Sequence, residues 1–202
     1  MNKPLILTDV DDVALNWIAG FRTFASRVLG RVITGLPKTW NMDTWLGVAD
    51  GVAMEMVKQF NHGDPEFGRL PPTADAEKYL PQLAKRCDIV AITCCDIGPT
   101  PVALRKQNLD NVFGKGTFQD VICQPLGTKK IDNLSIFKDR NVIAWVEDKH
   151  EAALHGLEMG YRSFLVEQDH NKEFREKNPN GPLIHVKSWA DIAAVIAWKS
   201  FA

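Results

Sequence analysis

Leu5-Ile6-Leu7-Thr8-Asp9-Val10-Asp11-Asp12-Val13 is an apolar run that ends abruptly in carboxylates. Continuous apolarity without polar alternation reads as a strand buried on both faces, as in a parallel sheet covered by helices. Residues two apart on an extended chain point the same way, so Asp9 and Asp11 share a face. Carboxylates at the end of a buried strand are costly unless a cation or a reaction uses them. That carboxyl edge is also where ligands bind in open α/β sheets. A plainer reading makes these acids caps for the next helix, a role that suits Asp12. It would suffice for Asp9 alone but not for the constellation that the other strands add.

Working outward, Ile89-Val-Ala-Ile-Thr93 and Val142-Ile-Ala-Trp-Val146 repeat the apolar pattern, and Val121–Cys123, Arg162–Val166 and Leu183–Val186 are weaker strands of the same kind. Between them lie helical stripes. Leu15, Ile18, Phe21, Phe24, Ala25, Val28 and Leu29 recur at three- and four-residue spacing. Ala74 to Lys85, Glu151 to Met159 (closed by Gly160) and residues 190 to 198 supply three more. Alternating strand and helix predict a doubly wound α/β fold with a mostly parallel, Rossmann-like sheet. One stretch breaks the rhythm. About 75 residues separate the first strand from the one ending at Thr93, far more than a simple crossover needs. Residues 14–72 are therefore expected to form a helical subdomain inserted into a core made of residues 1–13 and 73–202.

Composition narrows the function. The 202 residues carry 24 basic and 25 acidic side chains, a net charge of −1, with 45% hydrophobic residues. Such a balance gives no electrostatic footprint for a nucleic-acid polymer or an anionic membrane. No run approaches the roughly 18 apolar residues of a membrane span. Met1-Asn2-Lys3-Pro4 does not open a signal peptide. Cys87, Cys94, Cys95 and Cys123 have the spacing of neither a disulfide framework nor a zinc site. The expectation is a soluble cytoplasmic protein with a small-molecule partner; its oligomeric state is left open.

The other strand ends complete the chemistry. Thr93 places a hydroxyl, Glu147-Asp148 two carboxylates, and Gly127-Thr128-Lys129-Lys130 a cation. In a parallel sheet these emerge at one edge with Asp9 and Asp11. A hydroxyl, an ammonium and several carboxylates describe a Mg²⁺-dependent phosphate site: hard oxygens hold the ion, while Lys and Thr bind phosphoryl oxygens.

An apolar strand followed by DxDxV, a strand ending in Thr, a Lys, and a strand ending in ED, in this order from Leu5 to Asp148, resembles the haloacid dehalogenase superfamily. The insertion lies where that family carries its helical cap. The resemblance implies a phosphomonoesterase in which Asp9 is the nucleophile that becomes an aspartyl-phosphate and Asp11 the general acid and base. It further implies that Thr93 binds the phosphoryl, and that Lys129 or Lys130 balances its charge; Lys130 is favoured as nearer the helical pattern that follows. The implied Mg²⁺ ligands are Asp9, the backbone carbonyl of Asp11, and Asp148 with Glu147. Asp12 stands where many family phosphatases have Gly, and Ala14 replaces a larger aliphatic residue; neither removes a catalytic group.

A narrower resemblance is to the 5′(3′)-deoxyribonucleotidases. It rests on the short helical insertion, Glu147-Asp148-Lys149, His170-Asn171 after a strand, and Trp189-Ala-Asp-Ile192. Against it, Ala152 to Gly160 looks more like the phosphomutase-like branch. Phosphomutase, sugar-phosphate phosphatase and a receiver-like signalling domain are the alternatives, and Asp11 and the insertion count against the last. Selectivity is expected from aromatic residues in the insertion. Trp17 lies near Asp12, and Trp40 and Trp45 lie in loop-like sequence where they can face a nucleobase. Trp145, Trp189 and Trp198 are expected in the core, and His62, His150, His155 and His185 have no ligand spacing.

Overall fold

The computed structural model describes residues 3–199, with side chains up to Ile196. The expectations resting on Met1, Asn2 and the Trp198 side chain lie outside what is described. Six strands, β1 (Leu5–Thr8), β2 (Asp88–Thr93), β3 (Asp120–Cys123), β4 (Val142–Glu147), β5 (Ser163–Val166) and β6 (Ile184–Val186), form one sheet. Their order is β3-β2-β1-β4-β5-β6, and every pairing is parallel. The order reverses beside β1, which sits between β2 and β4, so the crevice at that switch point opens where β1 ends.

The apolar runs are continuous because both faces are covered. Ile6 packs into the larger core, while Leu5 and Leu7 face a second cluster with Val90, Ile92, Leu134 and Trp145. Register places Thr8 opposite Ala91 of β2 and Val146 of β4. Asp9, Thr93 and Glu147 therefore leave the sheet at one edge.

After β1 the chain enters α1 (Trp17–Leu29), capped by Asn16, whose side chain accepts from the Ala19 N–H, and ended by Gly30 at φ 62°. Ile18, Phe21, Phe24 and Ala25 bury the expected stripe, whereas Val28 is exposed because the last turn runs past the core. Then follow α2 (Met42–Leu46), α3 (Val52–Gly63) and a 3₁₀ helix (Pro65–Arg69). The two ends of this helical segment lie side by side. Asn16 N–H donates to the Pro71 carbonyl at 2.8 Å, Thr73 N–H to Ala14 at 2.9 Å, and Leu15 bridges Pro72 antiparallel.

The remaining helices, α4 (Ala76–Ala84), α5 (Pro99–Phe113), α6 (Ile131–Ser135), α7 (His150–Glu158), α8 (Lys172–Lys177) and α9 (Trp189–Lys199), connect the strands, with a 3₁₀ turn at Asp169–Asn171. Trp145 and Trp189 are core residues, their indole N–H groups donating to the Ala152 and Val13 carbonyls at 2.9 Å each. Among the described residues no helix is long and apolar enough to cross a membrane.

Candidate active site

Asp9 is the first residue beyond β1 and is buried. Its Oδ1 accepts the Val10 N–H at 2.7 Å and lies 2.7 Å from Lys130 Nζ. That leaves Oδ2 without a partner among the described residues. Lys130 Nζ also reaches Glu147 Oε1 at 2.5 Å, so one ammonium bridges the ends of β1 and β4. Glu147 is saturated, because Oε2 accepts the N–H groups of Asp148 and Lys149 at 3.0 and 2.9 Å. Lys130 is buried immediately before α6, whereas Lys129 is exposed. The turn at Gly127 (φ 76°) and the Gln124 side chain organise this loop. Gln124 Nε2 donates to Thr128 Oγ1 at 2.8 Å and its Oε1 accepts from Asn133 Nδ2 at 2.8 Å.

Asp11 lies across from these groups. Its Oδ2 accepts from Thr93 Oγ1 at 3.4 Å, and Arg105 Nη2 lies 2.5 Å from its Oδ1. Arg105 comes from α5, is 0% exposed, and lies 4.3 Å above the Phe67 ring of the inserted segment. The neighbouring Asp12 adopts φ 57°, and its Oδ1 accepts the Ile18 N–H at 3.0 Å in the first turn of α1. The capping role expected of Asp12 is thus real, although Asn16 is the cap residue itself.

Asp9, Glu147 and Asp148 can bring one oxygen each within 4.8 Å of one another. Three buried carboxylates face one buried ammonium, a local surplus of negative charge. Burial pushes the Asp9 carboxyl up to about 7 against the pull of Lys130, with Glu147 and Asp11 adding smaller repulsion. Burial likewise raises Glu147 against the pull of Lys130, and Asp12 against the backbone N–H it accepts, with Asp148 adding repulsion. Asp148 Oδ2 is buried and accepts no hydrogen bond, although His170 Nε2 lies 3.1 Å away. An all-oxygen set with uncompensated charge and an unfilled buried oxygen fits a hard divalent cation such as Mg²⁺. The side chain of Asp11, engaged by Arg105, stands apart from this set.

A cavity of about 500 Å³ opens over Asp9, Asp11, Lys130 and Asp148. Its far wall comes from the inserted segment: Trp17, Trp40 and Met42, and the α3 residues Met54, Val57 and Asn61. Trp17 stacks on Phe21 (centroids 4.6 Å apart, 15° between planes) and donates its indole N–H to Asn61 Oδ1 at 3.1 Å. Trp40 is 41% exposed and bridges to the core, 4.2 Å from the His170 ring and with Lys149 Nζ 5.6 Å from its centroid. Trp45 departs from expectation. Residues 42–46 are not loop but a helical turn capped by Asn41, which directs Trp45 toward Phe21 at 6.3 Å, while Met42 lines the cavity instead.

No family model matches the sequence. An uncharacterised 32.4 kDa protein of Enterobacteria phage T4 is 28% identical over 170 residues, 78% of this chain; the match spans 58% of the phage protein's length. Solved structures resemble the chain nearly end to end. A haloacid dehalogenase-like family hydrolase from Streptococcus pneumoniae superposes with a TM-score of 0.66 at 13% identity, covering 96% of this chain and 98% of that one. A predicted phosphatase from Clostridium acetobutylicum gives 0.62 at 13% identity, with 100% of both chains covered. The fold is that of the haloacid dehalogenase-like hydrolases. Bacillus subtilis YfnB, a candidate hydrolase of this fold solved with magnesium bound, gives 0.62 at 13% identity over 98% of this chain and 100% of its own.

Within this fold the residues that sequence reading passed over are Arg105, Asn61 and Gln124. Arg105 carried a usable signal: Pro101, Arg105, Asn108, Leu109 and Phe113 form one buried face of α5, with a cation where an apolar residue belongs. The weak amphipathicity of the segment, itself due to Arg105 and Asn108 facing inward, hid the helix.

Proposed function

We propose that the protein is a Mg²⁺-dependent phosphomonoesterase working through an aspartyl-phosphate on Asp9. The observation that carries this reading is the buried Lys130 ammonium, held 2.7 Å from Asp9 and 2.5 Å from Glu147 at the carboxyl edge of a parallel sheet. Asp9 and Asp148, with the Asp11 carbonyl, would hold the ion, and the bound Mg²⁺ supplies charge neutralisation at the phosphoryl oxygens. Asp9 Oδ2, the unpartnered oxygen, attacks phosphorus as the ester bond to the leaving oxygen breaks. Asp11 gives that oxygen a proton, then takes one from the water that cleaves the acyl phosphate. Thr93 and Lys130 hold the phosphoryl oxygens.

The wall of Trp17, Trp40, Met42 and Met54 favours a flat, apolar leaving group, so the substrates proposed are nucleoside monophosphates. The inserted segment, residues 14–72, then acts as a cap that shuts bulk solvent out of the site while leaving room for the one water that cleaves the acyl phosphate. A phosphatase screen with Mg²⁺ across nucleoside monophosphates, sugar phosphates and an aryl phosphate tests the reading. Asp9→Asn is nearly isosteric and should fold yet release no phosphate; near-normal turnover by that variant would refute the mechanism. Asp11→Asn should slow poor leaving groups more than good ones. Sugar phosphates outperforming every nucleotide would remove the nucleotidase reading and leave the phosphatase one.

A further inference from the structure

The four cysteines form no framework in sequence, but the sheet brings two of them together outside the catalytic cavity. Cys123 ends β3 opposite Thr93 of β2, and Cys95 lies two residues past Thr93. Backbone bonds lace the two segments beyond the strands: Gln124 N–H donates to the Thr93 carbonyl at 2.9 Å and Asp96 N–H to the Gln124 carbonyl at 3.0 Å. Both side chains pack in the larger core, which also takes Leu109 and Phe113 of α5; Cys95 is fully buried there and Cys123 half-buried. They are close enough for the Cys95 S–H to hydrogen-bond to the Cys123 sulfur. Cys94 is placed differently: it lines the cavity, with Gln124 Nε2 3.3 Å from its sulfur.

The surroundings of the pair are electropositive. Arg105 Nη2 holds Asp11, but its Nε and Nη1 are buried and have no hydrogen-bond partner among the described residues. Against burial, the charge of this guanidinium is supported by Asp11 first and then by Cys95 and Cys123. The hydrogen bond from Cys95 holds the Cys123 thiol below its ordinary value against burial, helped by Arg105 and Lys106, which are consecutive on α5. Burial instead raises Cys87, and raises Cys94 to about 11. A partly accessible thiol beside cations, with a second thiol in contact, is the arrangement of a peroxide-reactive cysteine and its resolving partner. We propose that Cys95 and Cys123 are a redox modification site, oxidised by a peroxide to a disulfide that disturbs the hold of Arg105 on Asp11 and so slows the reaction at Asp9. The Cys123 sulfur attacks a peroxide oxygen, forming an S–O bond as O–O breaks, and the departing hydroxide takes up the proton that Cys123 gave up. The Cys95 sulfur then attacks Cys123, forming S–S as S–O breaks, and the second hydroxide leaves with the Cys95 proton. The two thiols lose two electrons and two protons, and hydrogen peroxide becomes two waters. This thiol chemistry stands apart from the phosphomonoesterase reading; only its effect on turnover rests on that reading.

The test treats the full chain, reduced with dithiothreitol and then freed of it, with an equimolar amount of hydrogen peroxide, followed by alkylation and mass-spectrometric mapping. The expected product is a Cys95–Cys123 disulfide, with Cys87 and Cys94 recovered as alkylated thiols. Cys95→Ser should stop at the Cys123 sulfenic acid and take up dimedone there, whereas Cys123→Ser should take up none. Phosphate release by the unaltered chain should fall about tenfold on oxidation, as loss of one hydrogen bond to a charged group allows, and return with dithiothreitol. In Cys123→Ser it should not respond to peroxide. If Cys95→Ser does not fold by circular dichroism, the map of the unaltered chain and the Cys123→Ser variant decide. A disulfide through Cys94, oxidation of Cys87 or Cys94 before Cys123, or a Cys95–Cys123 disulfide that leaves turnover unchanged would overturn the proposal. Mapping needs no catalysis, so the two failures are read apart: a reduced chain that releases no phosphate refutes the phosphomonoesterase reading, and a missing disulfide refutes this one.

Discussion

Two adjacent lysines differ in one respect that decides their chemistry. Lys130 is buried between Asp9 and Glu147, and Lys129 is exposed on the same turn. Burial alone would lower the Lys130 ammonium, but the two carboxylates more than reverse this and hold it above its ordinary range. Replacing it by Met leaves two buried carboxylates facing each other uncompensated. Lys130→Met should therefore cost about 3–5 kcal/mol of stability, as for a broken buried pair, and lower phosphate release about 10²–10³-fold, as for loss of one oxyanion-binding donor. Lys129→Ala should stay within about 0.5 kcal/mol and keep its turnover. Thermal melts and phosphate assays on both variants check this, and equal effects at the two positions would refute the assignment. The sequence narrowed the choice to this pair by the rule that a cation precedes the helix. It could not show the Gly127 turn and the Gln124 clamp that bury the second and leave the first in solvent.

At the scale of elements, legibility followed burial on both faces. The strands were readable because β1, β2 and β4 sit between two helical layers and need continuous apolarity, while α1 was readable because it faces only one. The 15-residue α5 was not, because two of its inward positions, Arg105 and Asn108, are polar: the first pairs with Asp11 and the second with Leu70 backbone. Trp45 was misplaced for a related reason. A five-residue helix shows too little periodicity to separate from loop. The packing of α7 onto the sheet gives a prediction that propensity alone would get backwards. Gly156 lies in the last turn of α7, and within a helix Ala ordinarily gains up to about 1 kcal/mol over Gly. A Cβ there would fall 2.3 Å from Trp145 Cδ1 and 2.4 Å from Ser163 Oγ. The Trp145 ring cannot retreat without losing its bond to Ala152. Gly156→Ala should thus be destabilising by roughly 1–3 kcal/mol, the range of core overpacking, measured as a lower denaturation midpoint. A higher midpoint would mean that α7 shifts freely on the sheet.

On the scale of the whole molecule, the insertion touches the core at its paired stem, through Phe67 against Arg105, and through Trp40 against Lys149 and His170. Trp40 alone of these is a half-open aromatic over the cavity. Trp40→Ala should lower kcat/KM for nucleotides about tenfold or more, given roughly 1–3 kcal/mol per stacked base, and leave a small aryl phosphate nearly unaffected; parallel loss on both would make Trp40 a packing residue only. The charge distribution supplies the last expectation. The chain is almost neutral, at −1 over 202 residues, yet Asp9, Glu147 and Asp148 concentrate negative charge in one buried place with a single lysine. A ligand that binds only the folded state stabilises it by mass action, about 2.7 kcal/mol at a hundred times its dissociation constant. For a domain of this length each kcal/mol is worth about 2–4 °C. Saturating Mg²⁺ should therefore raise the melting temperature by roughly 5–10 °C, reversibly with a chelator, while sodium at equal ionic strength should not. Asp148→Asn keeps the size of the side chain but removes one of the two carboxylates left as ligands after Glu147 is committed to Lys130, so most of the shift should vanish. An unchanged melting temperature in the original chain would show that the cluster holds no divalent ion, and the Asp9 carboxyl, pushed up chiefly by burial, would then be neutralised by a proton instead.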